Sequence, residues 1–174
     1  MSVPVAVVQA AASTGLRAGA VAADAALPRG LSREDLTTAL AAARLGRGRR
    51  GAARVVALAD GRSESPGESW TRLVMAEVGL PTPELQALIA DETGTVVARV
   101  DFLFRRERVV VEFDGAVKYG EDGAKGQLAL VAEKRREDAI RRLGYVVVRL
   151  TWTDLRGPER VRALIRAAIR LAVA

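Results

Sequence analysis

The fold is decided by residues 96–115, which read VVARVDFLFRRERVVVEFDG. Residues 96–104 alternate partly between apolar and other side chains, and Arg105-Arg106-Glu107 predicts a tight reversal. The β-branched run Val109-Val110-Val111 is typical of a buried central strand. Asp114-Gly115 ends that run. This stretch therefore predicts a β-hairpin whose second strand lies inside a sheet.

The segments on either side of this hairpin supply the rest of an α/β fold. They predict, in order, a helix capped by Ser65, a strand over 85–91, a helix over 127–143, a strand over 145–150 and a helix over 158–173. A strand that follows the long helix is expected to pair beside the central strand through a right-handed crossover. The order predicts a mixed sheet flanked by helices.

The first 58 residues are rich in Ala and Arg and poor in strand-forming residues. Ser32-Arg33-Glu34-Asp35 follows the capping-box pattern and predicts the start of a helix. We therefore expect two parts, a helical extension over residues 1–58 and an α/β domain over residues 59–174.

Composition excludes several kinds of chemistry. The chain has no Cys and no His. It therefore has no disulfide, thiolate zinc site, cysteine nucleophile, Ser-His-Asp triad or histidine-metal nuclease centre of the HNH type.

Lys and Arg total 27 against 21 acidic residues, and the net charge of +6 favours a polyanionic partner. Apolar stretches are interrupted by Arg or Gly, and the N-terminus resembles no signal peptide, so we expect a cytoplasmic protein without a membrane partner.

Acidic residues occur inside the strands of the hairpin. Asp101 and Glu112 are flanked by Val and Phe, and a buried carboxylate is costly unless it is paired, hydrogen-bonded or bound to metal. The hairpin brings the two acids nearly opposite each other on strands ~4.8 Å apart, close enough to share one divalent cation. Asp114 points to the same face as Glu112. The alternative is that these acids bond backbone groups or pair with Arg99 and Arg108.

An Asp followed about ten residues later by Glu-x-(Lys or variant) on a hairpin resembles the PD-(D/E)XK nuclease superfamily. An ordered string of short motifs resembles, more closely, the Vsr-like endonuclease-domain proteins common in actinobacteria. The motifs are Ser65-Pro66-Gly67-Glu68-Ser69, Gly79-Leu80-Pro81, Gln86, Val100-Asp101-Phe102, Val111-Glu112-Phe113-Asp114-Gly115, Lys134-Arg135-Arg136-Glu137-Asp138 and Gly144-Tyr145-Val146-Val147-Val148-Arg149. The resemblance covers about residues 59–155. It implies a restriction-endonuclease-like core with the order α-β-β-β-α-β.

The resemblance also implies a metal-dependent hydrolysis of DNA. Asp101 and Glu112 would hold Mg²⁺, with Mn²⁺ as a substitute, and Glu68 would add a ligand or hold a metal-bound water. Asp114 and Lys118 complete the implied catalytic set. Asp114 stands where the superfamily has Lys, and Lys118 stands where the closer family usually has His. Lys118 would supply the missing cation, and a solvated loop lysine is the alternative.

Basic residues outside this set are candidates for binding the DNA backbone. The densest cluster is interleaved with glycines and predicts a flexible arm along phosphates, with a solvated loop as the alternative; it comprises Arg44, Arg47, Arg49, Arg50 and Arg54. Lys134 and Arg135 are second candidates, and a solvated helix face is the alternative for them.

Two interpretations of function remain open. The leading one is a Mg²⁺-dependent DNA endonuclease with a role in repair or defence. The other is a DNA-binding or regulatory protein, antitoxin-like, that keeps the nuclease fold and has weakened or lost cleavage. Because double-strand cutters of this fold often dimerise, a homodimer is a further open expectation.

Overall fold

The computed structural model describes residues 1–115 and 124–173. They form two compact units, Met1–Leu73 and Val74–Ala174, and the boundary falls within a helix. The helices of the first unit are α1 (Val3–Thr14), α2 (Leu16–Ala26), α3 (Arg33–Ala42), α4 (Arg49–Leu58) and the first part of α5 (Pro66–Glu77). The second unit contains β1 (Glu84–Ala90), β2 (Val96–Phe104), β3 (Val109–Phe113), α6 (Ala124–Arg142), β4 (Val146–Leu150), α7 (Trp152–Leu155) and α8 (Pro158–Val173).

The first unit is helical, as its composition predicts. Its core consists of small and branched side chains, with Val8, Leu36 and Val55 fully buried. The predicted capping box starts α3: the Asp35 N–H donates to Ser32 Oγ at 3.0 Å, and the Ser32 N–H donates to the Asp35 carboxylate at 2.9 Å. This prediction is confirmed, whereas the division of the chain after residue 58 stays a prediction.

The glycine-rich segment after α3 differs from the expected flexible arm. Gly46–Gly48 forms a 3-10 turn, and α4 begins directly afterwards at Arg49. A Cβ atom on Gly48 would lie 2.5 Å from the carbonyl oxygen of Ala12, so the glycine is needed where this turn packs against α1. The glycine at position 48 therefore serves close packing rather than flexibility.

The second unit is built on a four-stranded sheet with the order β1-β2-β3-β4. The strands β1, β2 and β3 form an antiparallel meander, and β4 pairs in parallel with β3 after α6. The predicted hairpin, its reversal and the pairing of the strand after the long helix are confirmed. Val109, Val110 and Val111 are all fully buried, and because their side chains alternate between faces, both faces of β3 are covered.

Helices cover this sheet. α6 contacts β2 and β4, while α8 contacts β3 and β4 through a buried stripe that includes Val161 and Ile165. The architecture is therefore α/β with a mixed sheet flanked by helices, as the sequence predicts. Within residues 1–115 and 124–173, none of the helices has the length and apolarity needed to cross a membrane.

Candidate active site

A row of apolar side chains crosses the face of the sheet that α6 covers. Leu103 on β2, Val110 on β3 and Val147 on β4 belong to one cluster with Ile140 of α6. Because strand side chains alternate between faces, Glu112 on β3 and Arg149 on β4 share this face, and both contact side chains of α6.

A polar row lies directly beside the apolar row. Asp101, Glu112 and Arg149 are each two residues from a member of the apolar row, and all three lie toward the same end of the sheet. Glu112 is the register partner of Arg149. Asp101 and Glu112 occupy the next position beyond the last described pair of the hairpin, Phe102 with Val111. The sequence-based prediction that the two acids lie opposite each other agrees with this register.

The sheet opens at Asp101. The ladder between β2 and β3 ends at Phe102, whereas β3 continues beside β4 as far as Phe113. The Phe113 N–H donates to Asp101 Oδ2 at 2.9 Å, so the half-buried carboxylate replaces the missing strand partner. This hydrogen bond fixes the position of one oxygen of Asp101, as the alternative interpretation of a backbone-bonded acid also expects.

The other neighbour of Asp101 is also irregular. Gln86 lies between the pairs Leu85–Phe102 and Ala87–Val100, at the position of β1 opposite Asp101. Its φ is 51°, a left-handed backbone conformation that residues other than glycine rarely adopt. Such backbone strain within a strand is costly and concentrates at functional sites. Both neighbours of Asp101 therefore depart from regular pairing.

Glu112 is neutralised by arginines. Its side chain is 14% exposed, and Oε1 lies 2.8 Å from Arg136 Nη2. Its other oxygen, Oε2, lies 3.9 Å from Arg149 Nε. The sequence analysis named Arg99 and Arg108 as alternative partners, but Arg108 donates instead to the Leu143 carbonyl oxygen at 3.3 Å.

The two arginines at Glu112 also hold the acids of α6. Arg136 donates to both oxygens of Glu133, through Nε at 2.9 Å and Nη2 at 2.8 Å. Arg149 Nη2 donates to Glu133 at 2.6 Å and to Glu137 at 2.8 Å. The hydrogen bond from Arg136 lowers the pKa of the Glu133 carboxyl, and the bond to Glu133 is the largest cause of the raised pKa of Arg136. Three carboxylates thus share two guanidinium groups.

Three other predicted site residues have different surroundings. Glu68, in the first unit, is buried and serves its own helix start, since Oε2 accepts from the Glu64 N–H at 2.9 Å. Its N–H donates to Ser65 Oγ at 3.1 Å. Asp114 is exposed at the end of β3. Lys118 lies outside the described residues. Within the second unit, the strand register places Asp101 and Glu112 at neighbouring positions.

The predicted DNA-contacting residues are all exposed. Arg44 precedes the 3-10 turn that contains Arg47, and α4 carries the other members of this cluster, Arg49, Arg50 and Arg54. Lys134 and Arg135 are also exposed, on α6. These positions satisfy the accessibility that a phosphate contact requires.

The sequence analysis missed the role of Arg136, Glu133 and Arg149 around Glu112. A signal for the first two was present. Glu133, Arg136 and Ile140 follow the spacing i, i+3, i+7, which places them on one side of a helix. Since Ile140 is buried, its two charged neighbours on that side are directed toward the sheet.

The acid pair fits a magnesium ion in donor type and number. Among the described residues, no group of three or more His, Cys, Asp or Glu side chains is arranged to hold a metal ion. Mg²⁺ commonly uses one or two carboxylates and completes its coordination with water and phosphate oxygens. Asp101 and Glu112 could supply the protein's share of such a set.

Comparison with known proteins finds relatives without a described function. The chain is 37% identical over 123 aligned residues to uncharacterized proteins from two strains of Mycobacterium tuberculosis. The alignment covers 68% of this chain and 43% of each relative, so the chain spans less than half the length of the curated relatives it matches. No family model matches the chain, and no solved structure matches it.

Proposed function

We propose that this protein is a Mg²⁺-dependent DNA endonuclease with a restriction-endonuclease-like core. The observation that carries the proposal is the polar row in which Asp101 and Glu112 lie on neighbouring strands beside a wholly apolar row. The net charge of +6 and the exposed arginines of α4 support DNA as the partner.

In this proposal Asp101 and Glu112 hold Mg²⁺. The bound ion would activate a water molecule and neutralise charge that develops on the phosphate. The Phe113 N–H orients Asp101, and the arginines around Glu112 keep that side chain on the face of the sheet that α6 covers. Glu68, Asp114 and Lys118 remain predicted members of the catalytic set.

The test compares Glu112→Gln with Glu84→Gln. Both residues are strand glutamates with an arginine partner, at 2.8 Å for Glu112 and 2.6 Å for Glu84, but Glu84 is half exposed and outside the polar row. Supercoiled plasmid is incubated with each protein in Mg²⁺ and in Mn²⁺. Since a metal ion contributes several kcal/mol to phosphoryl transfer, we expect Glu112→Gln to lose about a hundredfold or more in nicking rate. Glu84→Gln should cut at the wild-type rate, and equal cutting by both variants would refute the site.

Two observations favour a second candidate, a DNA-binding regulator that no longer cleaves. Both oxygens of Glu112 face guanidinium groups, and Asp114 stands in place of the superfamily's lysine. This candidate predicts duplex binding without nicking in either metal. A wild-type protein that binds DNA in a mobility-shift assay and leaves plasmid intact would establish it over the endonuclease.

A further inference from the structure

Arg136 is held by two carboxylates at once, and it is held unequally. Two of its hydrogen bonds go to Glu133, through Nε and Nη2, and form a forked pair. A single bond, from Nη2 at 2.8 Å, goes to Glu112. If Arg136 releases Glu112, it keeps the forked pair on Glu133. The structure therefore contains a guanidinium that keeps two hydrogen bonds to a carboxylate when its bond to Glu112 is given up.

We propose that Arg136 is a positioning residue that exchanges partners at the site. Without a divalent cation it neutralises Glu112, and when a cation binds Glu112 it remains on Glu133 and offers its released N–H to a phosphate oxygen of DNA. This inference rests on the proposed metal site at Glu112. It adds a residue that competes with the ion and then recognises the substrate.

The exchange follows from charge. A divalent cation and a guanidinium both seek the Glu112 carboxylate, and their proximity on one carboxylate is unfavourable. The guanidinium cannot leave by losing its proton, because arginine stays protonated in proteins. Partner exchange is the route that remains, and Glu133 already accepts two of the bonds. A guanidinium released in this way matches phosphate oxygens in geometry and charge.

The inference predicts effects of opposite sign on two kinds of binding. Removing the competing cation in Arg136→Gln should tighten Mn²⁺ binding, measured by calorimetry without DNA, by about tenfold or more, the worth of one charged hydrogen bond. The same variant should bind a fluorescent duplex in Ca²⁺ about tenfold more weakly. Arg142→Gln is the matched control, because this arginine is exposed on the same helix and belongs to neither the predicted catalytic set nor the predicted DNA contacts. It removes the same charge and should leave Mn²⁺ affinity unchanged.

A second pair of variants gives an independent test that does not depend on the folding of Arg136→Gln. Glu133→Gln frees Arg136 to bind Glu112 alone, so Mn²⁺ affinity should fall. Glu137→Gln is the control, because it removes an equal charge one helical turn away. Among the described contacts Glu137 binds Arg149, whereas Arg136 binds Glu133. Glu137→Gln should lower Mn²⁺ affinity less than Glu133→Gln does.

The outcomes separate failure of this inference from failure of the proposed function. The proposed partner exchange is overturned if Mn²⁺ affinity is equal in the wild type and Arg136→Gln, or equal in Glu133→Gln and Glu137→Gln. Arg136 would then be a static ion-pair partner of Glu112. The metal site would then still stand. Absence of Mn²⁺ binding in the wild type and all variants would overturn the metal site, and the exchange with it.

Discussion

The buried ion pair between Asp24 and Arg72 tests how burial affects the contribution of an ion pair to the free energy of unfolding. Their side chains are 1% and 12% exposed, and Arg72 Nη2 lies 2.8 Å from Asp24 Oδ2. Asp24 also accepts the Asp60 N–H at 2.7 Å, and Arg72 donates to the Leu58 carbonyl oxygen at 2.6 Å. These contacts join α2 and α5 to the end of α4 and to the segment that follows it, all within the first unit.

The perturbation is Arg72→Met, which keeps the long apolar stem and removes the guanidinium. It leaves the buried Asp24 carboxylate without its ion-pair partner, and breaking one side of a buried pair costs about 3–5 kcal/mol. The matched control is Arg62→Met, because Arg62 also lies in the first unit and pairs with an aspartate, Asp60, at 2.7 Å. Arg62 is 61% exposed, so its loss should cost less than about 1 kcal/mol. Distance alone would rank the two pairs as equal.

Urea unfolding measures the difference. The chain has two tryptophans, and in a Trp152→Phe background the fluorescence of Trp70 reports on the first unit. We expect the free energies of unfolding of Arg72→Met and Arg62→Met to differ by more than about 2 kcal/mol. The double variant Asp24→Asn with Arg72→Met should recover most of the loss, since it leaves no buried charge unpaired. A difference below about 1 kcal/mol between the single variants would refute the reasoning from burial.

Three further predictions concern packing, pH and salt. Gly19→Ala should lower the melting temperature, because the new Cβ would lie 2.8 Å from the backbone of α1. Gly51→Ala should raise the free energy of unfolding by about 0.5 kcal/mol, because its new Cβ has no neighbouring atom closer than 3.9 Å. Burial raises the pKa of Asp154, but hydrogen bonds from Arg160 and Thr151 outweigh burial and leave it below its ordinary 3.8. Asp154 therefore stabilises the fold at neutral pH and loses this effect as the pH falls below about 4, so urea titrations should show a weaker acid dependence in Asp154→Asn. Duplex affinity should fall steeply with salt, and replacing Arg47 and Arg50 by Gln should reduce the log–log slope by about 1.8; an unchanged slope would exclude them as phosphate contacts.

The strands and the pairing of acids were predictable from sequence because both depend on local patterns. Val109-Val110-Val111 identifies β3, and a short reversal after β2 fixes the hairpin register to within one residue. The prediction that Asp101 and Glu112 are neighbours needs no knowledge of α6 or β4. The close packing of Gly48 against α1 was not predictable from sequence, because a glycine that permits flexibility and a glycine that permits close packing have the same sequence pattern.

The partners of Glu112 required tertiary information. Arg149 reaches Glu112 only because β4 pairs with β3 in a register that aligns the two residues, and nothing within residues 145–150 specifies that register. Gln86 carries no sequence sign of its left-handed backbone, which arises where the strands separate around Asp101. Arg136 was nevertheless within reach of pattern analysis, since its spacing to Ile140 directs it toward the sheet while Lys134 and Arg135 face away. In a basic helix beside a carboxylate, the arginine that shares a side with the apolar stripe is therefore a better candidate for the site than its exposed neighbours.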